Sequence, residues 1–265
     1  MKSLLMLVLG VIVSVAHGQE LVTLEPRAGA TESFLLVTPV NVPPRAAAVL
    51  FPGGPGSIRL RTEGGQIKFG QNNFVVRTRD LFAAGGVAVA VLDAPSDQSS
   101  GMHNSFRKGE LHVQDVKAVV SELKKRFAGT PVFLVGTSMG TVSAAYVGLA
   151  LGNEVAGIAL TSSPFRPSGR RSAHGDSNLS DFDLTSIRTP LLLVHHREDA
   201  CAICPYSEAQ RRAGSSPIIS VSGGKPPQSD PCEALSTHGY LGKEEETVQA
   251  IVNWMLKKPF AKEIN

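Results

Sequence analysis

Residues 132–151 read VFLVGTSMGTVSAAYVGLAL. The opening Val132-Phe133-Leu134-Val135 is apolar, β-branched and of the length of a buried strand. Residues 139–151 are rich in Ala, Gly and Val, as a helix pressed closely on a sheet should be. Between them lies Gly136-Thr137-Ser138-Met139-Gly140. A serine at a tight strand-to-helix turn is lifted above the sheet, and flanking glycines permit the strained turn and a close backbone approach. The five-residue pattern alone is weak; the strand before it and the helix after it give it weight.

Outward from this stretch the chain alternates in kind. Short apolar runs at 34–37, 46–51, 87–92, 155–160, 191–195 and 218–221 read as further buried strands. Between most of them the spacing is helical. Residues 110–127 place Leu111, Val116, Val119, Val120, Leu123 and Phe127 on one face and Glu122, Lys124, Lys125 and Arg126 on the other. Gly129-Thr130-Pro131 ends that helix. A last amphipathic helix, 244–258, carries Val248, Ile251, Val252, Trp254 and Met255. Strands alternating with helices predict one doubly wound α/β domain over 19–265, a mostly parallel sheet with helices on both faces. The polar insert 161–190 is too short for a large helical lid, so the cap is minimal. Its Arg166, Arg170 and Arg171 read as solvated loop charges before they read as a lure for acidic substrates.

Composition narrows the function classes. The 265 residues are 42% hydrophobic and 18% charged, which excludes a disordered chain. A net charge of +3 is too weak a field for nucleic-acid binding. At the start, Met1-Lys2 precedes an apolar run over 4–16 that ends in Ala16-His17-Gly18. Such a run is shorter than the roughly 20 residues of a spanning helix. It reads as a cleaved signal peptide over 1–18, sending a chain with no stable membrane anchor to the periplasm or the medium, where disulfides persist.

A serine hydroxyl becomes a nucleophile when a base takes its proton and an acid orients that base. In this arrangement the partners follow the serine, acid before histidine. Asp199 lies beyond the 191–195 strand and His238 lies before the last helix. Glu198 is the first competitor for the acid, then Asp93 and Asp97. His195 and His196, at a strand end, would shape the pocket. His103 and His112 precede the serine, and His174 falls in the insert. An oxyanion also needs backbone donors. One is the amide of Met139; another comes from Phe51-Pro52-Gly53-Gly54-Pro55-Gly56 after an early strand. That loop lacks the Gly-Lys-Ser/Thr ending of a phosphate cradle, and no acidic residue follows to hold a ribose. No cofactor is implied.

Together the Gly-rich loop, the serine turn and the Asp199 and His238 loops resemble the α/β-hydrolase superfamily over essentially the whole mature chain, and more narrowly its small secreted bacterial serine hydrolases. The resemblance implies Ser138 as nucleophile, His238 as base, Asp199 as orienting acid, and the Gly54 and Met139 amides as oxyanion donors. The substrate it implies is a small-molecule ester or related acyl compound, cleaved through an acyl-enzyme. Two departures stand out. Pro52-Gly53 replaces the usual His-Gly, which keeps Gly53 as the alternative donor. Asp93-Ala94-Pro95-Ser96-Asp97 replaces a Gly-x-Gly turn and points to a distinctive pocket wall. If the acid and base loops meet over Ser138, a Cys201–Cys232 disulfide would pin them, with Cys204 competing for Cys201's place. Cys201-Ala202-Ile203-Cys204 also matches a redox dithiol or half a metal site, but a zinc site needs two more spaced ligands, and only Cys232 and the already assigned His238 offer themselves. No metal is expected. The rival classes are a non-catalytic binding protein on the same scaffold and a thiol-disulfide protein using Cys201 and Cys204.

Overall fold

Nine of the chain's strands pair edge to edge in one sheet, described in a computed structural model over residues 18–70, 72–167 and 178–265. All but the last residue of the expected signal peptide lies outside these residues, as do Arg170, Arg171 and His174. The strands are β1 (Gly18–Arg27), β2 (Ala30–Thr38), β3 (Ala46–Phe51), β6 (Val87–Leu92), β7 (Val132–Thr137), β8 (Gly157–Thr161), β9 (Leu191–His196), β10 (Ile218–Val221) and β11 (Glu263–Ile264). A separate hairpin pairs β4 (Arg61–Glu63) with β5 (Gln66–Lys68). Helices are α1 (Phe74–Arg77), α2 (Arg79–Ala84), α3 (Asn104–Arg107), α4 (Glu110–Arg126), α5 (Gly140–Leu151), α6 (Tyr206–Ala213) and α7 (Glu244–Met255).

The sheet order is β1-β2-β6-β3-β7-β8-β9-β10-β11. From β6 to β11 every neighbouring pair is parallel, and only the β1–β2 and β2–β6 pairs are antiparallel. Chain order reverses at β3, whose neighbours are β6 on one side and β7 on the other. In open α/β sheets such a reversal opens a crevice at the carboxyl ends of the two strands. The Gly-rich loop leaves β3 there and Ser138 follows β7.

Period-2 alternation sorts each central strand between two cores. Along β3, Ala47, Val49 and Phe51 join the core under α4, α5 and α6, whereas Ala46, Ala48 and Leu50 join the core under α1, α2 and α7. Strands buried on both faces carry the near-continuous apolar runs that made them legible. The polar edge strand β1, the β4–β5 hairpin and the short helices α1, α2, α3 and α6 lack that signal. Leu111, expected on the buried face of α4, is instead 51% exposed. The insert is less polar in effect than its composition: Phe165, Leu179, Phe182, Leu184 and Ile187 are buried in the first core.

Candidate active site

Ser138 sits between β7 and α5 with φ +51°, in the left-handed region that a residue with a Cβ enters at a cost of order 1–3 kcal/mol. Its surroundings hold it there. The Ser138 amide donates to Thr161 O at 2.9 Å, and Ser138 O accepts from both the amide and the hydroxyl of Thr141 at 2.9 and 2.6 Å. A Cβ on Gly140 would lie 2.1 Å from Phe51 O, so only glycine lets α5 start this close to β3. Met139 is the N-cap of α5, where unpaired amides and the helix dipole favour negative charge.

The Gly-rich loop packs on the serine. A Cβ on Gly53 would lie 3.0 Å from Ser138 Cβ and 3.0 Å from Thr137 O. Together with Gly54, Ser138, Met139, His238 and others, Gly53 lines a cavity of about 550 Å³. Neither Gly53 nor Gly54 is singled out as the donor by this geometry, but Gly53 makes the closer approach to Ser138.

His238 enters from the turn before α7. Its ring is buried, and Nδ1 is 2.9 Å from Asp199 Oδ2, in a carboxylate with no exposed surface. Asp199 Oδ1 accepts from the Cys201 amide at 2.9 Å, so both oxygens are engaged. His238 Nε2 has no hydrogen-bond partner among the described residues; nucleophile–base contacts are often loose before substrate tightens them. From behind, the one proton of the Ser162 hydroxyl is shared between His238 O at 2.7 Å and the Tyr240 hydroxyl at 2.9 Å, and the Tyr240 hydroxyl donates to Val194 O at 2.7 Å. Burial pushes the Tyr240 phenol above its ordinary range, so it stays neutral. The Arg77 guanidinium grips the Gly239 carbonyl next door.

The competing acids are all engaged elsewhere. The Glu198 side chain is exposed, with an oxygen 3.2 Å from the Gly223 amide. Asp97 pairs with Arg27 at 2.9 Å. Asp93 accepts four backbone amides, from Ile58, Arg59, Leu60 and Ala94, at 2.7–3.2 Å. It does not line the cavity, as the altered turn had led us to expect; it braces the segment after the Gly-rich loop, which does. His195 and His196 also stand behind the cavity: His195 Nε2 accepts from the Ser163 amide at 2.9 Å, and His196 Nε2 is 2.9 Å from Gly223 O. Of Arg166, Arg170 and Arg171, only Arg166 is among the described residues, and it lies 3.7 Å from Glu208.

Cys201 and Cys232 form a disulfide, which ties the loop of Asp199 to the loop of His238. Cys204 is free and buried, and burial pushes its thiol well above the ordinary range. The Cys201 and Cys204 sulfurs and a His238 nitrogen lie within 4.8 Å of one another. The disulfide takes Cys201 out of any metal set, and Cys204 lacks the thiolate character that redox exchange needs.

Residues without a motif complete the surroundings: Asn73 lines the cavity beside Gly53, Ser162 backs His238, and Arg107 reaches Gly54 O. Their roles depend on burial and on partners distant in sequence, which no local pattern encodes.

A family model described as serine aminopeptidase, S33, matches residues 73–221. None of the curated proteins matches the chain. Among solved structures, the esterase domain of a Rhodothermus marinus protein is 20% identical, with a TM-score of 0.58 over 91% of this chain and 99% of that one. An α/β serine hydrolase without lid from Xanthomonas campestris is 13% identical, with a TM-score of 0.55 over 90% and 94%. Est1E from Butyrivibrio proteoclasticus is 14% identical, with a TM-score of 0.58 over 91% and 98%. At these identities the likeness is one of fold.

Proposed function

The chain belongs to the serine aminopeptidase S33 family of α/β hydrolases, and from that premise we propose that this serine hydrolase is an exported esterase working through Ser138, His238 and Asp199. One observation carries the reading: a serine held in the left-handed conformation shares a cavity wall with a histidine whose far nitrogen is bonded to a buried carboxylate. Asp199 keeps the Nδ1 proton in place, which leaves Nε2 as the basic nitrogen facing the nucleophile. Ser138 Oγ attacks the acyl carbon while Nε2 takes its proton. The tetrahedral oxyanion settles against the Met139 amide and that of Gly54 or its neighbour Gly53. The imidazolium then protonates the leaving alcohol, and a water activated by Nε2 releases the acid.

A small-molecule ester suits a cavity of about 550 Å³ whose walls include Pro52, Ile58, Phe74 and Ile203 and whose rim carries exposed Arg59 and Glu233. Of the solved structures named above, one is an esterase domain and one a serine hydrolase without lid, and their shared fold supports the same choice. Export is supported by the apolar leader and by a disulfide beside the site. Among the described residues no helix is long and apolar enough to cross a membrane.

The test is labelling by a fluorophosphonate probe together with turnover of short-chain aryl esters. Wild type is expected to label and turn over, and Ser138→Ala to do neither. Equal labelling of the two proteins ends the proposal.

A further inference from the structure

Arg107, at the end of α3, is completely buried. Its Nη2 donates to Gly54 O at 2.9 Å and its Nη1 to the Ser143 hydroxyl on α5 at 3.0 Å, while Nε has no partner among the described residues. Burial alone moves its pKa, down to about 10, so at neutral pH it remains a cation with no carboxylate contributing. An interior charge with no counter-ion among the described residues is a poor way to stabilise a fold, because desolvation exceeds what two neutral acceptors return. The side chain is therefore better explained by what it holds.

It holds the Gly-rich loop. Three successive carbonyls of that loop are turned to fixed donors: Gly53 O accepts from the Gly56 amide at 3.2 Å, Gly54 O from Arg107, and Pro55 O from the Met102 amide at 2.8 Å. The loop lies directly on the guanidinium, since a Cβ on Gly56 would be 2.8 Å from Arg107 Nη2. Gly54, with φ +58° and no side chain, has little of its own to fix the direction of its carbonyl. A carbonyl oxygen swung toward the cavity would face a forming oxyanion with like partial charge. Through its other amino group Arg107 holds Ser143 on α5, the helix whose N-cap is Met139.

We propose, resting on the esterase reading above, that Arg107 is a positioning residue that keeps the Gly53-Gly54-Pro55 peptides in oxyanion-binding orientation by bridging Gly54 O to Ser143 on α5. It touches no substrate and acts on the transition state through the loop. Its loss therefore lowers kcat and leaves KM nearly unchanged.

The experiment compares full-length wild type, Arg107→Gln and Arg107→Lys on a short-chain aryl ester, with inhibition by an alkylboronic acid, which adds to a serine as a tetrahedral anion. For Arg107→Gln we expect kcat to fall about 100-fold, the scale of losing one oxyanion donor, with KM within about threefold of wild type. Boronate affinity should fall in parallel. Arg107→Lys, keeping the charge and one donor, should regain about tenfold of the loss. A kcat within about threefold of wild type overturns the proposal, as does a lowered kcat with unaltered boronate affinity. If Arg107→Gln does not fold, Arg107→Lys decides in the same way: a parallel loss in kcat and boronate affinity of about tenfold supports it, and wild-type values of both overturn it. Wild type that neither turns over the ester nor labels at Ser138 would overturn the esterase reading itself, an outcome distinct from normal wild type with unimpaired variants.

Discussion

Asp199 has both carboxylate oxygens occupied, one by the Cys201 amide and one by His238 Nδ1, in a side chain without exposed surface. Its neighbour Glu198 is solvated and faces away. An amide in place of the carboxylate could donate to Nδ1 and so stabilise the tautomer whose proton sits on Nε2, the wrong nitrogen for accepting one from Ser138. We therefore expect Asp199→Asn to lower kcat by about 10⁴-fold with the fold intact, and Glu198→Gln to leave kcat within about twofold, both read by steady-state ester hydrolysis. The same neighbourhood concentrates backbone strain. Ser138, Ser162 and Tyr240 all have positive φ, at +51°, +48° and +60°. Each is held by hydrogen bonds that need the others' elements in place, which is how strain of this kind persists at a site.

At the scale of elements, the site depends on how closely α5 approaches β3 and on how the two loops from the far side are tethered. Gly140 faces Phe51 O and Pro52 O, both main chain, which no side-chain rotation can move aside. Gly140→Ala should accordingly lower the unfolding free energy by roughly 3 kcal/mol or more, in the range of severe core overpacking, measured by urea denaturation. The tether is the disulfide, which closes a loop with a sequence separation of 31. In the chain-entropy account that closure contributes about 3–4 kcal/mol. The double variant Cys201→Ser, Cys232→Ser should lose about that much, and reduction of wild type should match it. A loss under about 1 kcal/mol would show that the loops are held by their other contacts, such as the Ser162 and Arg77 bonds to 238 and 239.

Across the whole molecule, burial on both sides of the sheet leaves several ionisable groups dry. His112 and His195 are fully buried and desolvation pushes each pKa down to about 3, aided by Arg107 for His112 and by His238 for His195. In the unfolded chain a histidine titrates near 6.5. Folding therefore requires the neutral form, and the stability it carries is complete above about pH 6.5 and lost as pH falls toward 3. Glu32 acts in the opposite sense. Burial, then the nearby Asp115 charge, raises its carboxyl well above the usual range, so its contribution erodes as pH climbs past the unfolded carboxylate value. A difference between variants separates the two. Between pH 4 and 6 the unfolding free energy of wild type should rise with pH about 1.4 kcal/mol per unit more steeply than that of His112→Leu, as read from urea melts at stepped pH. Equal slopes would mean that His112 is protonated in the fold.

Alternation of buried strands with amphipathic helices, the serine turn and the acid-before-histidine order were all legible in the chain, because each is a local pattern: β-branched runs flanked by turn residues, glycines at fixed offsets, a carboxylate after a strand. Edge strand β1 and the Gly64-Gly65 hairpin were not read, since a polar, half-exposed strand has no apolar run to announce it. The chain alone ranks Asp199 ahead of Glu198, but the physical difference between two adjacent carboxylates, that one is buried against His238 and the other exposed, is a property of the packing. The same holds for Asp93, whose carboxylate gathers amides about 35 residues away, and for Arg107, 53 residues from the carbonyl it grips. Sequence by itself determined which residues have the chemistry and where along each strand they fall. Only the tertiary structure decided which of them meet, because burial and hydrogen-bond partnership are properties of distant segments brought together, and no residue carries them alone.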